Sequence, residues 1–257
     1  MNAFRSAAFL LVAVLLGAAS ASAQASDAGI STGAYASRQY VSSRAQTRPS
    51  NRYIRVRTTS VLLHRVRESD EGTVVESRYC AVEQDPLGRV RTLLGAAFVA
   101  AMPAWESKAT RDPDGEGPGT VHIAEHTIIL GADLSDPARE NLPEDSDDPR
   151  ITDPDRDGHP GVTVEVDGFV SGQVYLVQRL TRGLRGSVDP DGRMTGTVTG
   201  AGDQTVIGAS NAILKTFTPR FEHNPDPKRN TFVWVPVPPE STCETILVAR
   251  HRLFGED

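Results

Sequence analysis

From Tyr53 onward, apolar and polar positions alternate in short runs rich in Val, Ile, Leu and Thr, and Gly, Pro, Asp and Asn punctuate the gaps. A period of two puts successive side chains on opposite faces of an extended chain, so these runs predict strands with one face in a core. Strands are expected at residues 54–66, 73–82, 89–101 and 121–130, then at 162–169, 173–180, 193–198, 204–214, 231–237 and 244–254. So many short extended segments exclude an alternating α/β plan and predict an all-β antiparallel barrel or sandwich. Turn chemistry agrees: Asp112-Pro113-Asp114-Gly115 and Asp189-Pro190-Asp191-Gly192 place Pro and Asp early and Gly where positive φ is needed. The second of these joins residues 184–188 to 193–198 as a hairpin. Helix is expected only in the Ala-rich stretch 93–101 and in a short turn at 135–141 that contains Pro137.

The N-terminal part reads differently. Arg5 precedes an apolar run from Ala7 to Ala19, and Ala21-Ser22-Ala23 follows it, which is the order of a cleavable secretory signal peptide over residues 1–23. The run is shorter than the ~20 apolar residues of a permanent helical span, and no later segment supplies an integral membrane helix. The expectation is an exported, secreted protein, periplasmic or extracellular. Cysteine usage fits that compartment, because Cys80 and Cys243 are the only two cysteines and an even count under oxidising conditions favours a disulfide. Closing so long a loop stabilises by at most ~4–5 kcal/mol. Two unpaired buried thiols are the other reading of the pair.

Residues 24–52 are rich in Ser, Ala, Gly, Gln and Thr without apolar periodicity, so they read as a flexible basic arm. The remaining 53–257 reads as a single β domain with an acidic loop insertion at 132–161. Net charge is −6 over the whole chain, one unit more negative without Arg5, which excludes a strongly basic nucleic-acid binder. The distribution is uneven. Residues 28–67 carry eight arginines and no acid, whereas 133–157 carry ten acids and three arginines. A basic arm of this kind is expected to dock on an anionic envelope surface or to serve only as a solvated linker.

The sharpest local pattern is Asp153-Pro154-Asp155-Arg156-Asp157-Gly158-His159. Carboxylates at positions 1, 3 and 5 with Gly at position 6 converge oxygens on one hard cation. The stretch resembles the calcium loops of EF-hands, dockerins and thrombospondin type 3 repeats, over about a dozen residues. By that resemblance Asp153, Asp155 and Asp157 are side-chain ligands, His159 offers its carbonyl, and calcium is a structural cofactor. Position 12 is Val164 where an EF-hand has Glu, and Glu165 follows one residue late as a further candidate ligand. An unliganded surface turn is the alternative.

A second pattern, His122-Ile123-Ala124-Glu125-His126, matches the H-x-x-E-H zinc motif of inverted metalloproteases. That chemistry needs a helix, where the two histidines rise by only ~6 Å on one face; on a strand they lie ~13 Å apart. Flanking Val121, Thr127, Ile128 and Ile129 favour a strand. No nucleophile elbow, phosphate-binding glycine loop or paired catalytic carboxylate is apparent, so no catalytic residue is assigned. The expectation is a non-enzymatic envelope or extracellular protein, a structural or binding module with a calcium loop. The alternatives are a metal-dependent hydrolase at 122–126 and a barrel-type carrier of a small apolar ligand.

Overall fold

The computed structural model describes residues 28–47, 52–112, 120–217 and 219–255. The signal segment at 1–23 lies outside the described residues, and so do Pro113, Asp114 and Gly115 of the first turn. In chain order the elements are β1 (Gly33–Thr47), β2 (Arg52–Ser69), β3 (Gly72–Gln84), β4 (Arg91–Leu93), α1 (Ala96–Ala101), β5 (Trp105–Arg111), β6 (Thr120–Leu130) and β7 (Val162–Asp167). They continue with β8 (Gly172–Val188), β9 (Met194–Ala209), α2 (Ala212–Phe217), β10 (Arg220–His223), β11 (Thr231–Val237) and α3 (Cys243–Phe254). Among the described residues, no helix is long and apolar enough to cross a membrane.

The ladders are antiparallel, and eight strands close a barrel-like ring in the order β8–β6–β5–β3–β2–β1–β11–β9, with β9 pairing back onto β8. This is the expected all-β class. The predicted hairpin is present: Val188 lies opposite Met194 across a turn in which Gly192 takes φ +78.

Inward positions follow the period of two. On β1, Tyr35, Ser37, Gln39 and Val41 face in, opposite His64, Leu62, Ser60 and Thr58 of β2. One end of the interior is packed solid by Tyr35, Val75, Ile123, Met194, Phe232 and Trp234, among others. The other end is lined by Val82, Phe98, Met102, Leu130, Val164 and Leu176. At the boundary, buried His64 stacks on Trp234 with ring centroids 3.9 Å apart and bridges Ser37 of β1 and Ser77 of β3 through its two ring nitrogens, each at 2.8 Å.

Both outer faces of the ring are also put to use. The β2–β3 ladder pairs Val61 with Ala81 and Leu62 with Tyr79, so Cys80 is an extra, bulged residue. The bulge changes the parity of β3, turning Tyr79 inward while Cys80 and Ala81 pack outward with Ile246, Leu247 and Phe254 of α3. Cys80 there forms the expected disulfide to Cys243, across a separation of 163 positions. The second outer layer is the acidic insertion. Strands β6 and β7 both pair with the same edge of β8, Leu130 opposite Gln178 and Val162 opposite Leu176, so residues 131–161 interrupt what is otherwise one continuous strand.

Several expectations are corrected. The basic arm at 24–52 is not flexible over 33–47: β1 sits between β2 and β11 in the ring. Its apolar signal is weak because both faces are covered at close quarters, which selects small residues such as Ala34, Ala36 and Ser37. Three arginines of β1 and β2 form ion pairs within the fold, Arg44 with Glu222 at 3.7 Å, Arg57 with Asp85 at 3.3 Å and Arg67 with Glu106 at 2.7 Å. Residues 244–254 are helical instead of extended. A capping box of Thr242 and Thr245 starts α3, and Gly255 in the left-handed region ends it. Residues 89–101 divide into β4 and the Ala-rich helix α1, and 204–214 divide between β9 and α2.

Burial holds the His64 imidazole at about 3, well below its ordinary value. The unfolded chain takes up that proton below pH ~6.5, so stability is complete above that value and falls by roughly 1.4 kcal/mol per unit as pH drops toward 3. Burial lowers His126 and His223 in the same direction. Melting midpoints should therefore decline between pH 6.5 and 4.5, above the range where Asp148, held at about 2 by Arg150, begins to titrate. The His64→Gln variant should show a visibly flatter decline over that window in a thermal scan, whatever its absolute midpoint.

Candidate functional site

The insertion leaves and rejoins the ring through a tight neck. Gly131 and Gly161 take φ +82 and +84, and a side chain on either would strike the Leu176 carbonyl, at 2.8 and 2.6 Å. Beyond the neck, the amide of Thr152 donates to the Gly131 carbonyl at 3.1 Å, and that of Asp133 to the Arg150 carbonyl at 2.8 Å. Leu134, Leu142 and Ile151 then pack onto Tyr175, Val177 and Ile207 on the outer face of β8 and β9. Arg150 pins the segment from within by pairing with Glu140 and Asp148, each at 2.7 Å. The insertion, read from the sequence as an acidic loop, is thus a docked layer with its own small core.

Within it, Asp153, Asp155 and Asp157 come together, with one carboxylate oxygen from each lying within 4.8 Å of the others. Asp153 accepts from the amides of Asp157 at 3.2 Å and Gly158 at 3.0 Å, and Asp157 accepts from His159 at 2.9 Å. Asp155 Oδ2 accepts from the amide of Thr163 at 2.8 Å, while its Oδ1 is buried with no hydrogen-bond partner. Burial and the charge of neighbouring Asp157 raise the Asp155 carboxyl above its ordinary value. Three carboxylates this close repel one another unless a proton or a cation sits among them. His159 lies beside the group, its ring stacked on Tyr175 at 4.3 Å. Glu165 does not join: it is exposed on β7, paired in register with Gln173 of β8, and lies outside the cluster.

The H-x-x-E-H residues lie on strand β6. His122 sits between the interior residues Val121 and Ile123 and so points out. A bulge between Ile123 and His126 changes the parity, and His126 faces in with Ile128 and Leu130, stacked on Trp105 at 5.9 Å. The two histidines thus occupy opposite faces of the sheet, and Glu125 accepts a hydrogen bond from Thr199 at 3.3 Å. A single zinc ion with ~2.0 Å bonds cannot be held by groups so disposed.

The incompletely filled end of the ring holds a cavity of about 240 Å³. Its wall is mostly apolar, built from Val82, Phe98, Val164, Val174, Leu176 and Leu180 on β3, α1, β7 and β8. Phe169, 85% exposed in the β7–β8 connection, and Ile213, 51% exposed on α2, border it from outside and mark an apolar mouth. Polar side chains also line it, among them Arg182 and Gln178 of β8, Tyr79 of β3, Gln39 of β1 and His223 of β10. Burial lowers the Arg182 guanidinium below its usual value, with Tyr79 opposing, and burial raises the Tyr79 hydroxyl. Sequence reasoning missed this site. Its visible trace is that Gln178 and Arg182 share the parity of Val174, Leu176, Leu180 and Leu184, where apolar residues belong.

No protein-family model matches the chain, and no curated protein or solved structure is significantly similar to it.

The neck gives a paired test of how the insertion is held. Gly158 takes φ +85 with open space around it, so Gly158→Ala should cost only the ~1 kcal/mol or so of a left-handed non-glycine residue. Gly161→Ala adds a backbone clash in the ring itself and should cost at least twice as much, measured by urea denaturation.

Proposed function

We propose that this protein is an exported binding module that carries a small apolar ligand in the hollow end of its strand ring. The observation that carries the reading is the cavity: about 240 Å³ with a largely apolar wall and exposed aromatic and aliphatic side chains at its mouth. Sites of this form, concave and apolar with a few convergent polar groups, are the usual seats of small ligands. Packing supports it, since the same ring fills its other end with Trp234, Phe232 and Met194 and leaves this end unfilled. Export is supported by the leader pattern at residues 1–23 and by the Cys80–Cys243 disulfide.

The neutral fluorophore N-phenyl-1-naphthylamine should bind saturably at one site with micromolar affinity. Val164→Trp, which fills the cavity from β7, should abolish that binding while shifting stability by less than the ~1–3 kcal/mol that overpacking a solid core costs. A stable variant that still binds the fluorophore would place the ligand elsewhere.

A second reading concerns the insertion. Calcium as a structural cofactor at Asp153, Asp155 and Asp157 is favoured by the partnerless buried Asp155 Oδ1 and by the mutual repulsion of the three carboxylates. The cation would hold the insertion on the outer face of the ring. At ten times its dissociation constant it would add about 1.4 kcal/mol, or roughly 3–6 °C in melting midpoint for a domain of this size. That rise should appear with calcium over chelator and vanish in Asp155→Ala; an unchanged wild-type midpoint would refute it.

A further inference from the structure

Arg182 is set in an unusual place for a cation. It projects inward from β8 between Leu180, on the cavity wall, and Leu184, in the packed end of the ring. Its Nη1 donates to the backbone carbonyls of Thr181 at 2.7 Å and Ala201 at 2.6 Å, which fixes the plane of the guanidinium. Nε and Nη2 donate to no described residue, so the edge carrying these two donors is free. Among the described residues no carboxylate pairs with Arg182. The two acids that border the cavity are held by other arginines, Asp203 by Arg179 at 3.8 Å and Glu222 by Arg44 at 3.7 Å.

A guanidinium taken out of bulk water without a counter-charge is a standing cost to the fold, one that an anionic group of a ligand would remove. The free edge presents two roughly parallel N–H bonds, the geometry that matches the two oxygens of a carboxylate. The surroundings add hydrogen-bonding capacity without a competing charge. Burial, and then the charge of Arg182, keep His223 below its ordinary value, and burial keeps the Tyr79 hydroxyl protonated. His126, opposite Arg182 in the β6–β8 register, is likewise lowered by burial. Along β3, α1, β7 and β8 the wall carries Val82, Phe98, Val164 and Leu176, with Phe169 at the mouth.

We propose that the cavity takes a single-chain amphiphile, its carboxylate docked on Arg182 beside Tyr79 and its alkyl tail lying between Phe98 and Leu176. This rests on the reading of the cavity as a ligand site and names the class of ligand. With each carbon occupying about the ~30 Å³ share of a water molecule, a volume of about 240 Å³ suits a tail on the order of eight carbons.

The test is displacement of N-phenyl-1-naphthylamine from the folded protein by octanoate, octan-1-ol and octyl phosphate, which share one tail and differ in the headgroup. Octanoate should bind about tenfold or more tightly than octanol, and Arg182→Met should bring the two within about threefold of each other, each measured against the variant's own affinity for the fluorophore. Equal affinity of octanoate and octanol for the wild-type protein would overturn the headgroup assignment while leaving the cavity reading intact. A preference of about tenfold for octyl phosphate over octanoate would overturn the carboxylate in favour of a phosphate monoester. If neither the fluorophore nor any competitor binds, the cavity reading itself fails. Should Arg182→Met not fold, the wild-type ratio of octanoate to octanol decides alone.

Discussion

The pairing of β9 with both β8 and β11 turns a row of strands into a ring, and the rest of the structure depends on that closure. Once the ladder returns on itself, the inward side chains of the ring face a shared interior. The β8–β9 hairpin supplies the long half of the closure, from Val174 opposite Ala209 to Val188 opposite Met194. The β9–β11 contact is short, Thr231 to Trp234, yet it seats Trp234 in the interior. That indole is the centre of the packed end, with Tyr35, Phe232 and His64 around it.

Enclosure then divides the interior by residue size. Large rings and Met194 fill one end, while at the other Val, Leu, Phe98 and Met102 surround a space that they do not fill. The polar layer between them has two different characters. His64 is satisfied on both nitrogens by serines of adjacent strands and stays neutral, so it stitches β1, β2 and β3 together. Arg182 carries a permanent charge, and three of its five N–H donors have no partner among the described residues. A buried histidine with two partners is an element of the fold, whereas a half-buried arginine with an unused edge beside a cavity is the group we propose for recognition.

The outer faces are covered by devices that each exploit a break in the strand period. The bulge at Cys80 supplies the one residue needed to turn a cysteine toward α3. A pair of glycines whose backbones nearly touch lets the chain leave the ring at residue 131 and return at residue 161 without disturbing β8. In both cases an irregularity of the ladder makes the attachment of an outer layer possible.

Much of this was legible from residue order. Alternation of Val, Ile and Thr with polar residues reports the burial of one strand face, so most strands, the Asp189–Gly192 turn and the all-β class are visible in local sequence. The grouping of Asp153, Asp155 and Asp157 is equally local, because positive φ at Arg156 and Gly158 bends the loop around them. What the sequence hid is everything set by contacts between distant segments. Strand β1 carries small residues because β2, β11 and α3 press on it, and no periodic apolar signal survives that constraint. Residues 244–254 have an apolar pattern that either a strand or a helix satisfies, and docking against the outer face of β1 and β2 chose the helix. The meaning of Arg182 depends on which strand lies opposite and on how much volume the far wall leaves unfilled. A chain thus declares by itself which of its side chains shun water; where those side chains meet, and what space they fail to fill, is settled only when the ring closes.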